Sequence, residues 1–254
     1  MKTAYSEYGD RRNPAILFLH GIRLGRDIWA RHARSLVDRY HVVAADLPGH
    51  GALANVRFAP SSVRELLDRI TGEVCTAPPL VVGYSLGGYV SMNYAVAHPD
   101  RTRALLLAGC TLDFVGWKHW PYEAGARFIT ALPAPLRERF LQLTLHATLP
   151  RPWAEIVEEI PFDPQVLNDT KLISRGARFS ETIAAYRKPV LIANGELDLV
   201  FRMDERRFLN RLPQARLRVL KRVDHTAPLV RAEEFTAIVR EFADRVFTAT
   251  SRPA

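Results

Sequence analysis

Six short apolar runs dominate the chain, and the helical patterns between them leave few folds open to it. The runs cover residues 15–20 (AILFLH), 41–46 (HVVAAD), 79–84 (PLVVGY), 104–109 (ALLLAG), 189–195 (PVLIANG) and 215–220 (ARLRVL). The first five lack the apolar–polar alternation of a strand with one wet face. They read as strands covered on both sides, as in a parallel sheet. Helical periodicity fills the intervals at 28–38, 62–73, 86–98, 203–211 and 232–246. Ser62 and Glu65 fit a capping box opening the second helix, and Pro99 stops the third. Strands alternating with helices predict a doubly wound, mostly parallel α/β sheet.

The alternation breaks once. Residues 112–186 contain no strand-like run, but do contain helical segments separated by prolines, with Trp117, Trp120 and Trp153 among them. We therefore expect a core of residues 1–111 and 187–254, with a helical cap of residues 112–186 inserted late in the sheet. Such a cap would lie over the carboxyl ends of the strands, where open α/β folds bind ligands. Tyr84 and the three tryptophans are candidates to line that pocket.

Composition narrows the function classes. A chain of 254 residues suits one large domain. The formal charge of +8 comes almost wholly from arginines spread along the chain and interleaved with acids. That pattern reads as a solvated surface, not the basic stripe of a nucleic-acid binder. Cys75 and Cys110 lack metal-ligand spacing and suggest free thiols in a reducing compartment. The start, MKTAYSEYGD, has no apolar run of the signal-peptide kind, and no stretch is long enough to span a bilayer. We expect a cytoplasmic protein with no membrane span, no metal and no cofactor; oligomeric state is not legible.

One stretch carries chemistry. In VVGYSLGG (81–88), Ser85 sits between Gly83 and Gly87, after a buried strand and before a helical pattern. A strand–turn–helix this tight needs small residues on both sides of the serine and leaves its hydroxyl exposed above the sheet. A serine hydroxyl needs a base to react. Of eight histidines, His20 and His50 lie in turns, and His32 and His41 look like surface or strand-edge positions. His98 ends a helix, and His119 and His146 fall in the insertion. His225 follows the last strand, at the sheet end where Ser85 should emerge. The carboxylate that orients such a base is expected at Asp198, after the fifth run. Asp113, Asp224 and Glu196 compete for that place. Backbone N–H groups of Leu86 and Ile22 would supply an oxyanion hole.

The segments FLHG (18–21), DLPGHG (46–51), GYSLGG (83–88), NGELD (194–198) and DH (224–225) follow in an order that resembles the α/β-hydrolase superfamily over nearly the whole chain. The resemblance implies the α/β-hydrolase fold with a cap, and a serine-dependent cycle through an acyl-enzyme. Serine in place of aspartate at position 85 argues against epoxide hydrolases and haloalkane dehalogenases. GYSLGG is also similar to the motif of the menaquinone-pathway synthase that eliminates pyruvate. That family carries arginine after the two glycines, where this chain has Tyr89. The expected activity is cleavage of small to medium, largely apolar carboxylic esters. A carbon–carbon hydrolase, lyase or synthase, or a ligand sensor that retains the triad, are the other readings.

Overall fold

In the computed structural model, residues 4–248 are described; the first three residues of the N-terminal stretch considered above lie outside them. Each of the six apolar runs forms a strand: β2 (Ala15–Leu19), β3 (His41–Ala45), β4 (Leu80–Tyr84), β5 (Ala104–Ala108), β6 (Val190–Gly195) and β7 (Arg216–Leu220). All but β7 are buried throughout, as runs with apolar residues on both faces require. β7 alternates exposed and half-buried residues because it closes one edge of the sheet. The other edge is β1 (Tyr5–Tyr8), a polar strand without an apolar run, paired antiparallel with β3. Sequence patterning gave no signal for it.

The sheet order is β1-β3-β2-β4-β5-β6-β7, and every pair except β1·β3 is parallel. The order reverses between β2 and β4. At such a switch point the loops leaving two adjacent strands diverge to opposite faces and open a crevice at their carboxyl ends. The segment at 20–25 leaves β2 there, and Ser85 leaves β4.

Helices cover both faces. They are α1 (Ala30–Arg34), α2 (Pro60–Arg69), α3 (Leu86–Ala97), α10 (Glu205–Arg211), α11 (Ala227–Val230) and α12 (Ala232–Thr248). α1 is shorter than its periodicity suggests, preceded by a 3₁₀ turn at Arg26–Trp29. α2 begins at Pro60 with Ala59 as its N-cap. Ser62 thus stands at the third helical position, where its Oγ accepts the Ala59 N–H at 3.1 Å. It caps from inside the helix, and the box expected with Glu65 does not form, because Pro60 starts the helix two residues early. His32 and His41 are also not surface positions. Both are fully buried, His32 beside Trp29 and Phe235 and His41 against Glu7.

Between β5 and β6 the chain makes α4 (Trp120–Ala131), α5 (Ala134–Thr148), α6 (Arg151–Glu158), α7 (Val166–Asp169), α8 (Lys171–Ser174) and α9 (Phe179–Thr182). This stretch is fastened to both faces of the sheet. Leu145, Ala154, Val157 and Ile160 share an apolar cluster with Phe18, Trp29 and Tyr84. Val166, Phe179 and Ile183 join the cluster on the opposite face. Fully burying side chains of this size contributes about 1.5–3 kcal/mol each, so the insertion is integral to the core. Its entry is pinned by buried Asp204, which accepts the Asp113 N–H at 3.0 Å and pairs with Lys118 Nζ at 2.5 Å.

Candidate active site

The turn at Ser85 is as tight as its glycines imply. Ser85 takes φ 51° and ψ −116°, a backbone conformation that non-glycine residues rarely adopt. A Cβ at Gly83 would meet the Gly87 carbonyl at 2.6 Å, and one at Gly87 would meet the Leu19 carbonyl at 2.4 Å. Only hydrogen fits at either place. The Ser85 N–H is anchored on the Ala108 carbonyl at 2.8 Å, and α3 starts at the next residue.

Two loops bring their side chains to this serine. His225 follows β7, and its Nε2 lies 3.0 Å from Ser85 Oγ. Asp198 follows β6, and its Oδ2 lies 2.7 Å from His225 Nδ1. With the Nδ1 proton donated to Asp198, the Nε2 lone pair faces the hydroxyl. Asp198 is buried and Ser85 nearly so, while 29% of the imidazole side chain reaches solvent. Asp198 Oδ1 accepts the Phe201 N–H at 3.2 Å, which fixes the carboxylate plane.

The other carboxylates weighed for this place have partners elsewhere. Asp113 accepts the Ser180 N–H at 2.9 Å and the Ser180 hydroxyl at 2.7 Å. Asp224 holds Thr226, and Glu196 holds Lys221 and the Arg222 N–H.

The loop after β2 lies against the serine, since a Cβ built on Gly21 would stand 3.2 Å from Ser85 Cβ. Among the described residues, neither the Ile22 nor the Leu86 N–H has a protein partner. His20 and His50 shape this loop. The His20 ring donates to the Gly21 carbonyl through Nδ1 at 2.7 Å and accepts the Leu47 N–H at Nε2 at 3.0 Å. His50 accepts the Arg23 N–H at 3.1 Å. Burial strips both rings of the water a charge needs, pulling their pKa values down to about 4 and about 3. Both are therefore neutral at pH 7, as their accepting nitrogens require.

Of the four aromatic residues expected to line a pocket, only Tyr84 contacts the imidazole, at a ring distance of 5.2 Å. Trp117 and Trp120 are 64% and 69% exposed, and Trp153 packs half-buried on the cluster around Trp29. Trp117 and Trp120 sit on outward-turned helical positions, which aromatic content alone does not reveal. The ring that joins Tyr84 at the imidazole is Phe201, stacked on His225 at 4.2 Å, with Tyr122 and Phe114 behind it.

Sequence reading also passed over Asn194 and Gly109. Gly109 has φ 58°, and a Cβ there would lie 2.7 Å from His225 Cε1. Its N–H is held at 3.0 Å by the amide oxygen of buried Asn194, whose nitrogen donates to Thr111 Oγ1 and Glu205 Oε2. A polar residue inside the apolar run PVLIANG was the available signal. Among the described residues, no cluster of His, Cys, Asp or Glu has metal-binding geometry.

A sheet with this switch point and this turn has the architecture of the α/β-hydrolase class. Residues 16–238 match the alpha/beta hydrolase family, and the chain belongs to it. Among its relatives is the pimeloyl-[acyl-carrier protein] methyl ester esterase of Chromobacterium violaceum, 35% identical over 142 residues, which are 53% of this chain and 54% of that protein. The enzyme of the same name from Neisseria meningitidis serogroup B is 29% identical over 90% of this chain and 92% of its own. Of the solved structures that share the fold, two serve as examples. One comes from work on carboxylesterases of Nitrososphaera gargenis (TM-score 0.80, 19% identity, 96% of this chain and 95% of that one). The other is MenH of S. aureus (TM-score 0.79, 21% identity, 96% and 99%).

Proposed function

We propose that the protein is a serine-dependent carboxylic ester hydrolase. The observation that carries this reading is the hydrogen-bonded chain from Ser85 through His225 to Asp198. His225 Nε2 takes the hydroxyl proton as Ser85 Oγ attacks the ester carbonyl carbon. Asp198 stabilises the imidazolium so formed. The developing oxyanion accepts the Ile22 and Leu86 N–H groups, which carry no competing partner; one such donor is typically worth about 10²–10³ in rate. The imidazolium then protonates the departing alcohol, leaving an acyl-enzyme. A water that gives its proton to His225 attacks the acyl carbon and releases the acid, returning the proton to Ser85.

The helical segment of residues 112–186 serves in this reading as a cap over the crevice. Phe201, Tyr122 and Phe114 give the approach to His225 an aromatic wall, which suits a largely apolar acyl or alcohol group. The relatives' names favour a methyl ester on a carrier-bound acyl chain as the substrate to try first. A synthase that eliminates pyruvate is less well supported, because Tyr89 is buried, accepts the Leu112 N–H at 3.2 Å and offers no cation.

The test is turnover of short-chain aryl esters and of methyl esters by the wild type and by Ser85→Ala. Rapid multiple turnover lost in the variant supports the hydrolase. A single slow turnover with covalent retention would mark a sensor, and release of little acid from plain esters would mark a lyase.

A further inference from the structure

The residue that follows the proposed oxyanion donor Ile22 is a cation withdrawn from water. Arg23 is largely buried, and burial pulls its pKa below the ordinary arginine value, although a guanidinium stays charged. Its Nη1 donates to Thr144 Oγ1 at 3.2 Å and its Nη2 to the Leu141 carbonyl at 2.7 Å, both on α5. Among the described residues it has no carboxylate partner. A guanidinium presents five N–H donors, so three remain unspent. Burying a charge without an opposite one is costly, because its hydration is lost and nothing replaces it.

The backbone is strained at the same residue. Arg23 has φ 62°, a left-handed conformation unusual for a long side chain. The bond from its N–H to His50 and the turn closed by the Leu24 N–H on the Gly21 carbonyl hold it there. Two costs, buried charge and backbone strain, thus fall on one residue, two positions after the Gly21 that lies against Ser85. Strain of this kind persists where the surrounding structure enforces it, and it gathers at functional sites.

Arg23 lines a cavity of about 480 Å³ whose apolar walls are Leu141, Leu145, Val157, Ile160 and Phe162. One wall is fixed to the loop carrying His50, through Gly51 N–H on the Pro161 carbonyl at 2.8 Å and Asp163 N–H on the Gly49 carbonyl at 2.9 Å. Arg137 also lines the cavity, with Glu138, Glu158 and Glu159 at its exposed side, where Glu158 is engaged by His146. Consecutive Cα atoms are about 3.8 Å apart. The Arg23 backbone therefore lies one residue from the proposed oxyanion donor Ile22 and two from Gly21, where an added Cβ would stand 3.2 Å from Ser85 Cβ.

We infer that Arg23 and this cavity form a specificity subsite for an anionic oxygen group, a carboxylate or a phosphate, on an arm of the substrate beyond the scissile ester. The inference rests on the esterase reading. The planar guanidinium matches two anionic oxygens at once, and the apolar walls accommodate the methylenes that link them to the ester. Arg23 takes no part in bond cleavage; it selects.

The test compares p-nitrophenyl hexanoate with the p-nitrophenyl monoester of adipic acid, which differs by a terminal carboxylate. Wild type should favour the acidic ester in kcat/KM. Arg23→Gln should lose about tenfold to a hundredfold on the acidic ester, the range for a charged hydrogen bond, and change little on the neutral one. Arg23→Lys, a point charge without the fork, should fall between. Equal losses on both esters, or none on the acidic one, would overturn the subsite. Should wild type cleave neither ester, the esterase reading fails and binding decides the subsite. Calorimetric titration with adipate and with inorganic phosphate, at fixed ionic strength, should give saturable binding that Arg23→Gln abolishes, and the stronger of the two names the anion. Binding unaffected by the substitution, or absent, refutes the inference. If Arg23→Gln melts below the assay temperature, Arg23→Lys carries both comparisons.

Discussion

Replacing Asp198 by asparagine changes one atom of the site, and the surrounding donors dictate the consequence. The Phe201 N–H, 3.2 Å from Asp198 Oδ1, is a fixed backbone donor. An asparagine must keep its single carbonyl oxygen there, which turns the NH₂ toward His225 Nδ1, now 2.7 Å from a carboxylate oxygen. An NH₂ only donates, so Nδ1 must become the acceptor and the ring proton must move to Nε2. That nitrogen faces Ser85 Oγ at 3.0 Å and can no longer take its proton. The same tautomer reversal in a serine protease triad lowers kcat by about 10⁴, which is about 5.4 kcal/mol of transition-state stabilisation. We expect a loss of that order in kcat on an aryl ester with KM little changed, measured by steady-state release of the phenol. Asp113→Asn is the control, expected within a few-fold of wild type because its carboxylate serves Ser180. A loss below tenfold for Asp198→Asn, or a larger one for Asp113→Asn, would refute the argument.

Gly109→Ala should cut kcat by on the order of 10², the typical cost of a displacement near 1 Å, because a Cβ would stand 2.7 Å from His225 Cε1; unchanged kinetics would show that the imidazole yields freely. Asn194→Leu, similar in shape, leaves the Gly109 N–H without its partner, whereas Thr111 Oγ1 keeps the Phe201 carbonyl and Glu205 Oε2 keeps Arg202. It should cost about 1–3 kcal/mol in urea unfolding, the range for one unsatisfied buried group, and a cost under 1 kcal/mol would contradict this. Burial lowers the His32 pKa to about 4, so between the ordinary value near 6.5 and 4 the unfolded chain binds a proton that the folded one refuses. The corresponding stability is complete above that window and is lost as pH falls through it. His32→Phe should flatten the stability-versus-pH slope there by up to about 1.4 kcal/mol per unit, and parallel curves for the two proteins would count against it.

Patterning along the chain was enough to read the parallel strands and their alternation with helices, because a strand covered on both faces must be apolar throughout. Likewise, Ser85 announced itself through the glycines that its turn demands, and the order Ser85, Asp198, His225 followed from which loops share one end of the sheet. The edge strand β1 was invisible for the converse reason. Its residues are polar and half-buried, and its place comes from backbone pairing with β3. The ring on His225 is Phe201 and not a tryptophan of the insertion, because which face a short helix turns inward is settled by packing against distant residues. The same holds for His32, His41, Asn194 and Arg23. Local sequence fixes what a backbone segment can become, but burial of a polar side chain depends on the partners that other segments bring to it, and those meet only once the chain has closed on itself.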